Sequence, residues 1–269
     1  MREFSETYLR RTREGMWDDS REALEPLDLP ARERILDVGC GTGELSRVLR
    51  AEASDGATVV GCDADRELLS VAADREDPVP VVVGDAFQLP FPDDSFDLVV
   101  CQALLINLPE PAAALAEFAR VSSDLVAAVE PDNGAVEIDS SVEREDGLER
   151  RAREAYLEGV RTDVSLGADA REAFEAAGLE VGETRRYDHV RTVEPPYSEA
   201  AVVAARRKAT GAGLADDRAT MLSGPLTEAE YDDLRSSWRK MGRDVIDQME
   251  AREYRREEAV PFFVTVGRV

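Results

Sequence analysis

Apolar positions along this chain repeat with two different periods. Short runs rich in β-branched residues, at Ile35–Val38, Ala57–Asp63, Val79–Ala86 and the apolar end of Leu89–Cys101, predict strands buried on both faces. Leu125–Asp132, Leu179–Val190 and Pro261–Val269 extend the series to seven. Between them the apolar residues recur every three to four positions. Glu44–Leu49, Pro111–Arg120, 143–161 and 168–177 therefore read as helices, and Pro111 suits a first helical turn. Residues 3–25 predict an amphipathic helix with Tyr8, Leu9, Met16, Trp17 and Leu24 on its apolar side, ended by Pro26 and Pro30. Residues 195–258 are helical in pattern. Thr227–Glu230 is a capping box opening a helix whose Leu234, Trp238, Met241, Val245 and Met249 share one face.

Strands alternating with helices predict an α/β architecture: a doubly wound, mostly parallel seven-stranded sheet with helices on both faces. The expected organisation is a helical cap over 1–30, an α/β core over 31–194 with 133–167 partly a lid, a helical lid over 195–258, and a final core strand over 259–269.

The most specific local signal follows the first strand. Gly39, Gly41 and Gly43 recur at every second residue before a helix, where a side chain would block close approach of a ligand to the backbone. A dinucleotide fingerprint needs G-x-G-x-x-G, and a phosphate loop needs Lys-Ser/Thr after its last glycine. The spacing here is G-x-G-x-G with no lysine, which disfavours both. Acids then close the next two strands, Asp63 and Asp85. Either residue alone also suits a helix cap or a solvated turn.

With Ile35–Gly43, Ala57–Asp63, Val79–Ala86 and Leu89–Cys101 in this order and spacing, residues 31–132 resemble the class I S-adenosylmethionine-dependent methyltransferases, especially the small-molecule branch carrying an LPFPDDSFDLVV segment. The resemblance implies S-adenosyl-L-methionine as methyl donor, S-adenosyl-L-homocysteine as product, a small-molecule acceptor and no metal. It further implies that Gly39, Gly41 and Gly43, with Cys40, approach the amino acid end of the cofactor. Asp63, beside Ala64, would take the ribose hydroxyls. Asp85 and Ala86 would take adenine, with Phe87 near its ring, and Asp37, Cys101 and Gln102 would line the methionine side. The last two strands pair antiparallel in this family, so 195–258 would leave from and return to the cofactor face as a substrate lid. Tyr8, Trp17, Tyr197 and Trp238 are its acceptor-pocket candidates, with lid packing as the alternative. His189, the single histidine, is a weak candidate for a general base. Asn107 stands where many relatives have a histidine, and Val121–Asp124 replaces the usual proline-glycine-glycine turn. A non-catalytic cofactor-binding sensor or scaffold remains the alternative function.

Composition narrows the partners. The formal net charge is −24, from 57 acids against 33 bases, and the lysines are Lys208 and Lys240. Such a surface repels nucleic acid and anionic membranes, whose binding rests on Lys and Arg neutralising phosphates. It resembles proteins from salt-loving cells. Cys40, Cys62 and Cys101 form no disulfide framework, and no apolar run is long enough to span a membrane, so a cytoplasmic protein is expected, as monomer or homodimer. Arg206-Arg207-Lys208 and Arg239-Lys240 are basic islands able to hold a carboxylate or to lie on a solvated face. Self-repulsion of the acidic surface should loosen the fold at low ionic strength. Thermal melts in low and in molar potassium chloride should show a higher midpoint in salt, by about 2–4 °C for each 1 kcal/mol of repulsion screened.

Overall fold

Strands form over the apolar runs; those at Arg34–Val38, Phe96–Gln102 and Ser122–Pro131 are buried along almost their whole length, whereas Val81–Val83 and Glu180–Val193 are partly exposed. A computed structural model of the chain describes residues 16–17 and 20–269. Its strands are β1 (Arg34–Val38), β2 (Thr58–Asp63), β3 (Val81–Val83), β4 (Phe96–Gln102), β5 (Ser122–Pro131), β6 (Glu137–Ser140), β7 (Glu180–Val193) and β8 (Arg256–Arg268). Its helices are α1 (Glu44–Glu52), α2 (Arg66–Ala73), α3 (Pro111–Val121), α4 (Glu145–Gly159), α5 (Ala170–Ala176), α6 (Glu199–Thr210), α7 (Ala212–Asp216), α8 (Arg218–Met221) and α9 (Glu228–Glu250). Strand order is β3-β2-β1-β4-β5-β8-β6, with β7 also on β8. Every pair from β3 through β5 is parallel, whereas β5 and β6 each run antiparallel to β8.

The sheet is α/β and mostly parallel as expected, but it has eight strands. The added one, β6, comes from the excursion after β5, where Glu137 and Asp139 alternate with Ile138 in a pattern too short to predict a strand. A second correction concerns the start of the chain. Tyr8 and most of the expected 3–25 helix lie outside the described residues. Arg21–Leu27 is a 3₁₀ helix that contains Pro26 and ends at Asp28, whose φ is +49°. Proline supplies the φ such a turn needs, so it continues the turn where an end was expected.

Contacts divide the chain into two units. The first comprises 1–132, 165–187 and 261–269; the second comprises 133–164 and 188–260. Two of the breaks therefore fall inside long strands, between 187 and 188 in β7 and between 260 and 261 in β8. Long strands that serve two cores leave no linker for composition to reveal. In the first unit, Leu36, Val38, Val99, Leu115, Phe118, Val126 and Phe174 are fully or almost fully buried in one cluster. No separate turn precedes β5: α3 ends at Val121 and the strand begins at Ser122, with Ser123 Oγ bonded to Phe96 O at 3.0 Å. In the second unit, Tyr231, Leu234, Trp238, Met241 and Val245 form the core stripe of α9, and Thr227 and Glu230 complete the capping box. Among the described residues, no helix is long and apolar enough to cross a membrane.

The second unit also buries an ionic core. Glu145, fully buried, accepts from Tyr254 Oη at 2.9 Å, from Ser140 Oγ at 2.5 Å and from Lys208 Nζ. Arg256 reaches Glu145, Glu149 and Glu258, and Arg191 pairs with Glu258. Burial raises the Glu258 pKa, but Arg191 and Arg256 outweigh it and hold the carboxyl down at about 2. A depressed folded pKa stabilises above the unfolded value and ceases to do so as pH falls through the folded one, a contribution on the order of 3 kcal/mol. Glu258→Gln should therefore melt well below wild type at pH 7. That gap should narrow between about pH 5 and pH 2 in circular-dichroism melts.

Candidate functional site

In a parallel sheet wound in both directions from its centre, the crevice lies beyond the carboxyl ends of the strands where the order reverses. Here that point is β1 and β4, which pair directly although β2 and β3 intervene in sequence. The chain leaving β1 there carries Gly39, Gly41 and Gly43 at φ +69°, +54° and +81°. All three are left-handed, which glycine alone adopts without strain. A β-carbon on Gly39 would come within 2.9 Å of Leu104 Cδ1, so the loop after β4 closes directly over that position.

Carboxylates hold this turn in place. Asp63 Oδ2 accepts from Gly41 N at 2.8 Å, and Asp63 Oδ1 from Asp65 N at 2.9 Å. Asp65 in turn caps α2 through the amides of Glu67 and Leu68. Asp37, buried, takes the hydroxyl of Ser46. Asp85 accepts from Phe87 N at 3.0 Å, which turns the chain and leaves the Phe87 ring 36% exposed. Helix α1 starts at Gly43 with no side-chain cap, so its first amides are available to an anionic group.

The sequence reading missed Glu130. It is fully buried at the end of β5, and its Oε1 accepts from Leu104 N at 3.1 Å and Leu105 N at 2.9 Å, its Oε2 from Ile106 N at 3.3 Å. One carboxylate thus fixes the loop whose Leu104 covers Gly39. The available signal was an acid ending an apolar run, as at Asp63 and Asp85. Asn107 belongs to the same loop, its amide donating to Ala103 O at 2.9 Å. The LPFPDDSF segment is held by α3: Glu117 Oε1 accepts from Leu89 N, and Arg120 donates to Phe91 O, Leu89 O and Asp93.

These acids set a negative local potential. Burial first, then Asp63, Asp37 and Asp85, push the Cys62 thiol up to about 12. Burial, Asp37 and Asp63 raise Cys40, and burial, Glu130 and Asp37 raise Cys101. All three stay protonated thiols with no nucleophilic role at neutral pH.

The expected cofactor residues Asp37, Gly39, Cys40, Gly41, Gly43, Asp63, Ala64, Asp85, Ala86, Phe87, Cys101 and Gln102 all lie on β1, β2, β4 or the turns that follow β1, β2 and β3. Gln102 Nε2 sits 2.8 Å from Met16 Sδ, and Trp17 is buried against Tyr187 with ring centroids 5.5 Å apart. Tyr197, Trp238 and His189 belong to the second unit. Tyr197 Oη donates to Tyr254 O at 3.1 Å, and Trp238 is core packing on α9. His189 is buried beside Arg191 and Glu258. Burial and the Arg191 charge lower its pKa below the usual value, with Glu258 opposing, so it is neutral at pH 7. Of the basic islands, Lys208 is spent on Glu145 and Glu149, and Arg207 on Asp216. Among the described residues, no group of three or more His, Cys, Asp or Glu side chains is arranged to hold a metal.

Residues 36–124 match the family model of a methyltransferase domain. A methyltransferase of Streptomyces halstedii is 38% identical over 108 residues, 38% of each chain. The demethylmenaquinone methyltransferase of Corynebacterium efficiens is 40% identical over 102 residues, 38% of this chain and 42% of its own. The chain thus spans about two fifths of the length of the curated relatives it matches. Among solved structures, a protein assigned as a methyltransferase from Bacillus halodurans superposes with TM-score 0.52 over 93% of this chain and 98% of its own, at 19% identity. A SAM-dependent methyltransferase from Aquifex aeolicus gives 0.50 over 71% and 93%, also at 19%. These two likenesses are of fold.

Glu130→Ala should leave three amides without their acceptor and cost about 2–4 kcal/mol in denaturant unfolding, with faster hydrogen exchange at Leu104–Ile106. Glu130→Gln, which keeps an accepting carbonyl, should lose less.

Proposed function

Since residues 36–124 form a class I methyltransferase domain, we propose that the protein transfers a methyl group from S-adenosyl-L-methionine to a small-molecule acceptor. The observation that carries this reading is the left-handed glycine turn at the β1/β4 switch point, faced by the carboxylates of Asp63, Asp37 and Asp85. When bound, the cofactor supplies a methyl group activated on a positively charged sulfur.

The residues present fit that molecule. Gly39, Gly41 and Gly43 let the backbone approach its amino acid end, and the uncapped start of α1 receives its carboxylate. Asp63 spends two acceptor positions on backbone amides and keeps others for the ribose hydroxyls. Asp85 and the backbone of Ala86 take the adenine edge, and the exposed Phe87 ring lies beside its face. Asp37, Cys40, Ala64, Cys101 and Gln102 line the remainder. The negative potential of Asp37, Asp63 and Asp85 favours a sulfonium cation over the neutral product, which promotes product release after transfer. Cys40, Cys62 and Cys101, held protonated, do not compete with the acceptor for the methyl group. The chain's part in the reaction is to align the acceptor atom in line with the methyl and to exclude water.

The names of the relatives, demethylmenaquinone methyltransferase among them, support a small-molecule acceptor. The cytoplasmic setting and the acceptor-selecting role of 195–258 belong to this proposal too.

Calorimetry with S-adenosyl-L-homocysteine tests it; no affinity up to millimolar ligand would overturn it. Asp63→Ala should weaken binding by about 1–3 kcal/mol, roughly 5–150-fold. Gly41→Val should abolish binding while lowering the melting temperature less than in proportion, since a side chain at φ +54° obstructs the turn more than the core.

A further inference from the structure

Three observations in the first unit converge on the carboxyl edge of the sheet, next to the proposed cofactor site. Gln102 ends β4 and is in register with Val129 of β5; two residues on, Pro131 of β5 is in register with Phe262 of β8. Met16 lies against the Gln102 amide, and Trp17 follows it in the chain. From Trp17 a row of rings runs along this edge. Trp17 and Tyr187 have centroids 5.5 Å apart, and Tyr187 stacks on Phe262 at 5.6 Å and 21°. Arg185, two residues before Tyr187, donates to Glu22 O and to Glu25, fastening the segment after Trp17 to β7.

Trp17 is 4% exposed, yet its indole Nε1–H has no hydrogen-bond partner among the described residues. An orphaned buried donor of this kind calls for an explanation, because leaving it unmet is unfavourable. Trp238 shares the feature, but its neighbours are the apolar side chains of the α9 core. Trp17 instead follows directly on Met16, which touches Gln102 of the proposed methyl donor's site.

We infer that Trp17, Tyr187 and Phe262 form the wall that receives the methyl acceptor, and that the acceptor is a flat, neutral ring bearing a carbonyl or hydroxyl oxygen that accepts from Trp17 Nε1. Ring stacking selects a planar molecule. The potential from Asp37, Asp63 and Glu130 selects against an anionic one. The inference rests on the methyltransferase reading and adds the substrate class.

The test is calorimetry on the full chain saturated with S-adenosyl-L-homocysteine, titrated with naphthol, naphthalene and decahydronaphthol. Naphthol should bind tightest. Trp17→Phe, which keeps a ring and removes the N–H, should weaken naphthol about tenfold and leave naphthalene unchanged. Tyr187→Leu should weaken both planar probes and spare decahydronaphthol, which covers the case in which the Trp17 variant fails to fold. S-adenosyl-L-homocysteine affinity should be the same in both variants. Failure of naphthol to bind the loaded protein, equal affinity of wild type and Trp17→Phe, or equal binding of naphthol and decahydronaphthol would each overturn the acceptor assignment alone. Failure of S-adenosyl-L-homocysteine to bind would overturn the methyltransferase reading, and this inference with it.

Discussion

The hydrogen bond from Gly41 N to Asp63 Oδ2, at 2.8 Å, joins the turn after β1 to the end of β2. Backbone carbonyls take the other amides of this turn, Gly39 N and Cys40 N on Cys62 O and Gly43 N on Cys40 O, but Gly41 N is left over, and a buried amide must find an acceptor. Asp63 provides it and, through Asp65 N, also sets the start of α2. The same solution recurs on β5, three strands from β2. Glu130 accepts three amides of the loop after β4, and that loop lays Leu104 against Gly39. Carboxylates thus help hold the ends of four neighbouring strands, β2, β1, β4 and β5, in one arrangement, and the site inherits its geometry from them.

Using carboxylates for this purpose has an electrostatic consequence. Burial, reinforced by four acids at the carboxyl edge of the sheet, suppresses ionisation of Cys40, Cys62 and Cys101, and the same acids favour a cation near them. Backbone support and ligand selectivity therefore come from the same side chains. Replacing Asp63 by an apolar residue disturbs both, which is why its loss is expected to reach cofactor affinity more than global stability.

Arginine carries the opposite task in this acidic chain. Arg32, buried, joins Leu27 O, Asp97 O and Asp124, and Arg120 gathers the loop before β4 onto α3. In the second unit Arg191 and Arg256 surround Glu258. The planar guanidinium suits this work, since it satisfies several carbonyl and carboxylate oxygens at once. The near absence of lysine leaves an acidic exterior while the interior cations are almost all guanidinium groups; Lys208 is the exception.

What the sequence determined alone was local. Apolar runs placed six of the seven expected strands to within about three residues; the exception is β8, which begins at Arg256, five residues before the expected Pro261, because its first half is drawn into the sheet by pairing with β6 rather than by its own apolar pattern. The G-x-G-x-G spacing and the acids at 63 and 85 marked the candidate site, because each depends on a residue type that one backbone position demands. The capping box at Thr227 was equally local. Tertiary structure decided the rest. Glu130 reads as an ordinary acid until β5 lies beside β4, and Lys208 and Arg207 read as a basic patch until α4 and α7 bring Glu145, Glu149 and Asp216 to them. The strand at 137–140 exists because β8 offers it a partner, and the row from Trp17 to Phe262 joins residues far apart in sequence. Pairing across such separations leaves no periodic trace in the chain, so only the folded arrangement reveals it.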